Sequence, residues 1–305
     1  MIKVSIVVIT YNQECSISQT LDSLIAQECN FPYKIVVNDD CSSDKTPVVL
    51  KQYATLYPEL IDLQLNERNL GIVGNYFNAV NRSSSEFIAV CAGDDWWCDS
   101  LKLQKQVAFM ENHPDCGYLY TGYMQCINGE CHEVPLHKRY SFDEIITKGN
   151  GVPALTSFYR RSLGEKYQKE VQPLSHDWGM EDQPMILWFS LESKIMSIDD
   201  VTGVYRIEKG SAYHGNINKA IGMSLCSYNT CAYFIKKYHR EDLLPAVQKK
   251  HVTSMIYKYL GHALPVDRKL CDTIYHITHR DGKIYLLYII SRIPYLRNWY
   301  AKRIK

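Results

Sequence analysis

The chain has 305 residues, 46% of them apolar and 22% charged, enough for two average domains or one large domain with an appendage, and this excludes intrinsic disorder. Thirty-four Lys and Arg oppose 33 Asp and Glu, and the resulting net charge of +1 gives no field that would draw the chain to nucleic acid. Eleven cysteines include no C-x-x-C pair, and the closest spacings, Cys126 to Cys131 and Cys226 to Cys231, lack the partner set of a zinc site, so reduced thiols in a cytoplasmic chain are expected.

The continuous β-branched run Val4–Ile9 reads as a strand buried on both faces. It meets a polar turn without a long apolar region or a small-residue cleavage site, so it is a first strand rather than a signal peptide. Ile17, Leu21, Leu24 and Ile25 recur at helix spacing. Tyr33–Val37, Ile61–Leu65 and Glu86–Cys91 follow as strands, alternating with helices at Pro47–Tyr57 and Val73–Asn81. This βαβαβαβ order predicts an α/β fold, a mostly parallel sheet with right-handed crossovers and helices on both faces. Leu101–Asn112 reads as a helix and Tyr118–Gln125 as a strand, and Cys126 to Gly151 is polar and irregular. Glu181–Ser193 predicts a helix and Val201–Arg206 a strand. Beyond Asn218 the pattern is helical through Tyr238, Leu243–Leu260 and Asp267–His279. The simplest partition is an α/β domain over residues 1–215 and a helical extension over 216–305.

In open parallel sheets, ligands bind beyond the carboxyl ends of the strands. Three polar clusters fall there: Thr10-Tyr11-Asn12-Gln13, Asn38-Asp39-Asp40-Cys41-Ser42-Ser43-Asp44 and Ala92-Gly93-Asp94-Asp95-Trp96-Trp97. The dinucleotide fingerprint G-x-G-x-x-G after the first strand and the P-loop are both absent. Any one cluster would serve as a turn and helix cap, worth about 1 kcal/mol. Three at one sheet edge gather carboxylates that repel one another without a cation.

These residues, with Asn69-Leu70-Gly71 and Glu181-Asp182 after Trp178-Gly179, resemble the family 2 glycosyltransferases of GT-A fold in order and spacing over roughly residues 3–215. The resemblance implies an inverting transfer from a nucleotide-diphospho-sugar, most readily a UDP-sugar, to a saccharide or lipid-linked acceptor in bacterial surface-polysaccharide synthesis. It implies that Tyr11 stacks on the base beside Thr10, and that Asp40 accepts from the uracil N3–H while Asp39 shapes the turn. It further implies that Asn69 and Gly71 line the nucleotide-side loop, that Asp94 meets the ribose, and that Asp95 holds Mn2+ or Mg2+. Such a hard cation suits carboxylates and phosphate oxygens and stabilises the diphosphate leaving group as a Lewis acid. Gly-Asp-Asp also marks template-dependent RNA polymerases, but no basic template channel accompanies it here.

On the acceptor side an inverting transfer needs one carboxylate to take the hydroxyl proton. Asp182 is the expected base, with Glu181 orienting it or substituting for it. The bland reading is that both acids stabilise a helix N-terminus before Pro184. Ser175-His176-Asp177-Trp178-Gly179 offers an aromatic setting for a sugar, and Trp96 and Trp97 are a sugar platform or core. Arg206, Lys209 and His214 match the family's closing loop, from which a cation would reach the diphosphate or His214 the metal.

Residues 283–305 carry six basic and no acidic residues around Tyr285, Tyr288, Tyr295, Trp299 and Tyr300. The run Ile284–Ile290 is too short to span a bilayer, and Pro294 would bend or break a helix. The segment reads as an interfacial anchor on the inner face of a membrane, or as a helix packed on the domain or on a second copy of the chain. A non-catalytic nucleotide- or glycan-binding scaffold is the competing function. A sugar nucleotidyltransferase would want a Gly-rich, basic first loop that Thr10-Tyr11-Asn12-Gln13 does not offer.

Overall fold

The computed structural model of the chain describes residues 1–149, 151–207, 217–251 and 282–304. The chain divides into two compact units, Met1–Ile145 with Asn150–Ile207, and Ile146–Gly149 with Glu208–Lys305. The expected boundary at 215/216 lies outside the described residues.

In chain order the first unit runs β1 (Val4–Thr10), α1 (Ile17–Ile25), β2 (Tyr33–Asp39), α2 (Thr46–Leu56), β3 (Ile61–Leu65), α3 (Gly71–Arg82), β4 (Phe87–Ala92), β5 (Trp96–Trp97), α4 (Lys102–Asn112), β6 (Cys116–Ile127) and β7 (Glu130–Val134). After α5 (Phe142–Lys148) come β8 (Phe158–Arg160), α6 (Arg161–Val171), α7 (Asp182–Glu192) and β9 (Lys194–Ile207). They build one sheet in the order β3-β2-β1-β4-β8-β6-β9-β5, with β7 paired to β6. The first four strands are parallel. β8 then runs antiparallel to β4 and β6, β9 parallel to β6, and β5 antiparallel to β9. The α/β expectation holds; the first half of the sheet is parallel, and the later half is mixed.

The physical reasons are local. β1 sits between β2 and β4, so Val4, Ile6, Val7 and Val8 are fully buried and the unbroken β-branched run is explained. β3, at the edge, alternates buried and solvent-facing residues instead. α1 covers the sheet with Ile17, Leu21 and Leu24, and the core cluster continues through Leu50, Phe87, Leu103, Val107, Met110 and Phe158. The irregular pairing of β6 with β9 at Gly122 brings two carbonyls, those of Asp199 and Asp200, to within 3.1 Å of where a Cβ would stand, tighter than side chains ordinarily pack.

Two findings depart from the sequence reading. Asn128 and Gly129 adopt left-handed backbone (φ 51° and 89°), the two-residue turn that closes a tight hairpin between β6 and β7. That turn sets Cys126 directly opposite Cys131, with Cα atoms 4.0 Å apart, and the pair is joined as a disulfide. The expectation of reduced thiols therefore fails at this pair, while the other described cysteines form no disulfide. The second is a residue the sequence reading did not single out: Lys102, on the predicted helix, is fully buried, its ammonium 4.9 Å from the centre of the Trp97 ring and without a hydrogen-bond partner. Burial pulls its pKa down to about 7. The unfolded chain holds this proton up to about pH 10 while the folded chain releases it near 7, so stability rises with pH across that window. Lys102→Met removes the desolvated amine at similar volume. It is expected to raise stability at pH 7 by on the order of 2 kcal/mol and to flatten the pH dependence of the thermal midpoint above pH 7, read by calorimetry.

In the second unit α8 (Ile217–Lys237) buries Tyr228, Cys231, Phe234 and Ile235, and residues 244–251 are helical. The helices expected beyond residue 251 up to His279 lie outside the described residues. A helix over Gly282–Arg292 stops two residues before Pro294, which opens the next helix, Pro294–Ile304, as expected of proline at a first turn. Among the described residues, no helix is long and apolar enough to cross a membrane.

Candidate active site

The polar clusters meet at the carboxyl ends of β1, β2 and β4. The Asp40 N–H donates to the Thr10 carbonyl at 2.9 Å, and the Gly93 N–H to the Ile9 carbonyl at 3.0 Å, so the three strand ends are fastened to one another. Side chains lock the loops after β1 and β2. Ser42 Oγ accepts from the Asn12 N–H, Asn12 Oδ1 from the Ser43 N–H, and Thr46 Oγ1 from the Gln13 N–H, each at 2.8 Å. This tight loop holds Asn12 at φ 53° and leaves Tyr11 50% exposed at the mouth, a ring free to stack on a base.

Asp39 and Asp40 divide their labour. Asp39 is buried, and its carboxylate accepts from the Ser42 N–H and hydroxyl at 2.9 and 2.5 Å, the turn-shaping role expected of it. Asp40 reaches across to the start of α3. It accepts from the Leu70 N–H at 2.7 Å, the Gly71 N–H at 3.0 Å and Asn66 Nδ2 at 3.3 Å. A carboxylate offers about four lone-pair positions, which leaves Asp40 room for one further donor. Asn69 closes the same turn, its side chain donating to the Asp40 carbonyl at 3.2 Å and accepting from the Gly71 N–H at 3.0 Å, with Gly71 at φ 74°.

The acidic turn after β4 is strapped from both sides. Thr20 Oγ1 lies 3.0 Å from the Gly93 carbonyl and 2.7 Å from that of Asp95, and the Ser16 hydroxyl donates to the Gly93 carbonyl at 3.1 Å. Gly93 packs so closely on β1 that a Cβ would stand 2.9 Å from Thr10 Cβ and closer still to Gln13 Oε1. From β9, the Arg206 N–H donates to Asp95 Oδ1 at 2.9 Å and Arg206 Nε to the Asp94 carbonyl at 2.8 Å. Its guanidinium lies 4.5 Å from the centre of the Trp96 ring and also reaches Gln19. Asp95 is 3% exposed, and burial together with the adjacent Asp94 pushes its carboxyl well above the usual carboxylate range.

The remaining acids stand at the start of α7. Glu181 is buried beside the Tyr76–Tyr159 hydroxyl pair, and burial followed by the charge of Asp182 pushes it up to about 8. Asp182 is only half-buried, and its Oδ1 accepts from the Gln183 N–H at 2.7 Å. The field of Asp182 and that of Asp94 and Asp95 both reach Tyr205, whose phenol burial and these charges push up to about 12.

Of the residues singled out in the sequence, Thr10, Tyr11, Asp40, Asn69, Gly71, Asp94 and Asp95 lie together at this edge, and Asp182 stands at the start of α7, its charge felt at Tyr205 as are those of Asp94 and Asp95. Trp97 belongs to the core, its indole N–H donating to the Leu155 carbonyl at 3.0 Å. Trp178 is buried, with its ring stacked 4.2 Å from that of His176. Lys209 and His214 lie outside the described residues. Sequence reading missed Ser16, Thr20 and Gln19. The signal for Thr20 was a hydroxyl inside the buried stripe Ile17, Leu21, Leu24.

The fold is shared with solved glycosyltransferases. Staphylococcus aureus TarS 1-349 superposes with a TM-score of 0.63 at 18% identity, covering 98% of this chain and 89% of that one. The mannosyltransferase PcManGT of Pyrobaculum calidifontis, solved with GDP-Man and Mn2+, superposes at 0.58 and 15% identity over 98% of this chain and 84% of its own. In sequence, Rv1520 of Mycobacterium tuberculosis is 41% identical over 111 residues, 36% of this chain and 32% of that protein. TarS, a poly(ribitol-phosphate) beta-N-acetylglucosaminyltransferase, is 32% identical over 117 residues, 37% of this chain and 20% of TarS. The matched segments span about a third or less of these curated relatives. The model of glycosyl transferase family 2 matches residues 5–163, just over half of the 305, and the chain belongs to that family.

Proposed function

We propose that the chain is an inverting glycosyltransferase that moves a sugar from a UDP-sugar to a saccharide or lipid-linked acceptor in surface-polysaccharide synthesis, working at the cytoplasmic face. The observation that carries this reading is the joint placement of an exposed Tyr11, a lone-pair-bearing Asp40 and the strapped Asp94-Asp95 turn at the ends of β1, β2 and β4. Solved TarS binds UDP-GlcNAc and the mannosyltransferase binds GDP-Man with Mn2+, which supports a nucleotide-diphospho-sugar donor and keeps both nucleotides in view.

In this reading Tyr11 stacks on the base and Asp40 accepts from its ring N–H, while Asp94 takes the ribose. A divalent cation fits the donor set. The Asp95 carboxylate offers hard oxygen, the ligand type such a cation takes together with phosphate oxygens and water, and among the described residues no group of three or more His, Cys, Asp or Glu stands ready to hold a metal by itself. Asp95 would hold it, with His214 a further candidate, and Mn2+ or Mg2+ would offset the charge that gathers on the diphosphate as the glycosidic bond breaks. The chain's own part is to aim Asp95, through Arg206 and Thr20, and to present Asp182 as the base that takes the acceptor proton. Glu181, held protonated at neutral pH by its burial, orients that carboxylate rather than replacing it.

A thermal-shift screen of UDP, GDP, dTDP and CDP, each with and without Mn2+, tests the donor site. Stabilisation by UDP with Mn2+ is expected, about 2.7 kcal/mol when ligand stands at a hundred times its Kd. A preference for GDP would move the donor to a GDP-sugar. No response to any nucleotide at millimolar concentration would remove the donor site and leave the scaffold function.

A further inference from the structure

We infer that residues 283–305 seat the protein on an anionic phospholipid surface. The segment carries Lys283, Arg292, Arg297, Lys302, Arg303 and Lys305 and no acidic residue, although the chain as a whole is nearly neutral. Its two helices, Gly282–Arg292 and Pro294–Ile304, are 11 residues each, too short to cross a bilayer but long enough to lie along one.

The structure adds which side chains face outward. Of the sixteen large apolar side chains exposed among the described residues, five (Tyr285, Leu286, Ile293, Tyr295 and Trp299) fall within this stretch, and Tyr295 is 78% exposed. Arg292, Lys302 and Arg303 are exposed beside them. The cations ride on rings of the same segment: Arg292 lies 4.9 Å from the Tyr288 ring centre and Arg303 4.3 Å from that of Trp299. Tyr295, Trp299, Lys302 and Arg303 follow at helical spacing, so apolar rings and cations share one face of the second helix. Rings of this kind settle at headgroup depth, and the cations beside them pair with lipid phosphates.

The charge selects the occupant. A second copy docking symmetrically through the same face would press two sets of cations together with no acid in the segment to answer them. A neutral bilayer offers these cations no opposite charge. An anionic bilayer satisfies both parts of the face.

The test is flotation of the full chain with vesicles of mixed phosphatidylglycerol and phosphatidylcholine, against vesicles of phosphatidylcholine alone. Binding to the anionic vesicles and its release by high salt are expected in the wild-type protein. The charge-reversed triple Arg292→Glu, Lys302→Glu, Arg303→Glu should lose on the order of 100-fold in partitioning. The double Tyr295→Ser, Trp299→Ser should lose binding while keeping the wild-type thermal midpoint. Equal binding to neutral vesicles, insensitivity of wild-type binding to salt, or no binding at all would overturn the inference. So would self-association without lipid that Trp299→Ser abolishes, which would assign the face to a second copy. The salt and lipid comparisons use the wild-type chain and stand even if a variant fails to fold, and none of these readouts depends on the donor site.

Discussion

Asp182→Asn is expected to reduce sugar transfer by about 10³-fold while leaving nucleotide binding intact, because the amide keeps the shape and an acceptor for the Gln183 N–H but cannot take a proton. The companion variant Glu181→Gln separates the two acids at this helix start. Burial and the charge of Asp182 raise Glu181 from 4.5 to about 8, so at pH 7 it is mostly a neutral donor that glutamine imitates. Transfer should then fall less than about tenfold, the effect of misorienting a base rather than removing one. The two variants also differ in stability. The folded chain holds the Glu181 proton across roughly pH 4.5 to 8 where the unfolded chain has released it, so the contribution of Glu181 to stability declines as pH rises through that window. In Glu181→Gln this decline should be absent, and its thermal midpoint at pH 8.5 should exceed that of wild type. Single-turnover transfer and calorimetry on the same three proteins give both readouts. A Glu181→Gln loss as deep as that of Asp182→Asn would make Glu181 the base, and unimpaired transfer by Asp182→Asn would remove Asp182 from that role.

What the sequence disclosed and what it hid follow from how far each feature depends on neighbours in the chain. β1, β2 and β4 were legible because a strand flanked on both sides is apolar on both faces, and Val4–Ile9 writes that out residue by residue. The polar ends of these strands were legible for the same reason, since Thr10, Asp40 and Asp94 follow where apolar runs end. β8 is three residues held between β4 and β6, and its identity comes wholly from partners more than thirty residues away in sequence. The β6–β7 hairpin did carry a local signal, Asn128-Gly129, within a stretch whose polarity masked it. The fixing of Asp95 was not legible at all: Arg206 lies 111 residues further along, and its N–H and guanidinium meet the acidic turn only because β9 returns beside β5. The burial of Lys102 escaped for the converse reason, because a lysine on an amphipathic helix reads as surface unless the ring over which it lies, Trp97, is known to be inside.

Asp95 sets the second large effect, and there stability and function should move in opposite directions. Asp95→Asn retains an oxygen for the Arg206 N–H but removes a carboxylate that is nearly fully buried and repelled by Asp94. The unliganded variant should therefore melt at or above the wild-type temperature, since a desolvated charge is costly and its neutral analogue is not. Its metal-dependent response to UDP should vanish, and transfer should fall by 10³-fold or more, on the scale of losing the electrostatic stabilisation of a leaving group. Asp95→Ala should lose the same function but also melt lower, by about 1–3 kcal/mol, because the Arg206 N–H is left without its acceptor. The ordering of melting temperatures, Asn at or above wild type above Ala, separates a carboxylate placed for a ligand from one placed for the fold. If Asp95→Asn melts well below wild type and still responds to UDP with Mn2+, the carboxylate serves the turn and the cation is held elsewhere. If the order holds and the response is lost, the cost of burying Asp95 is borne by the folded protein for the donor alone, the pattern expected where a site is stored at the expense of stability.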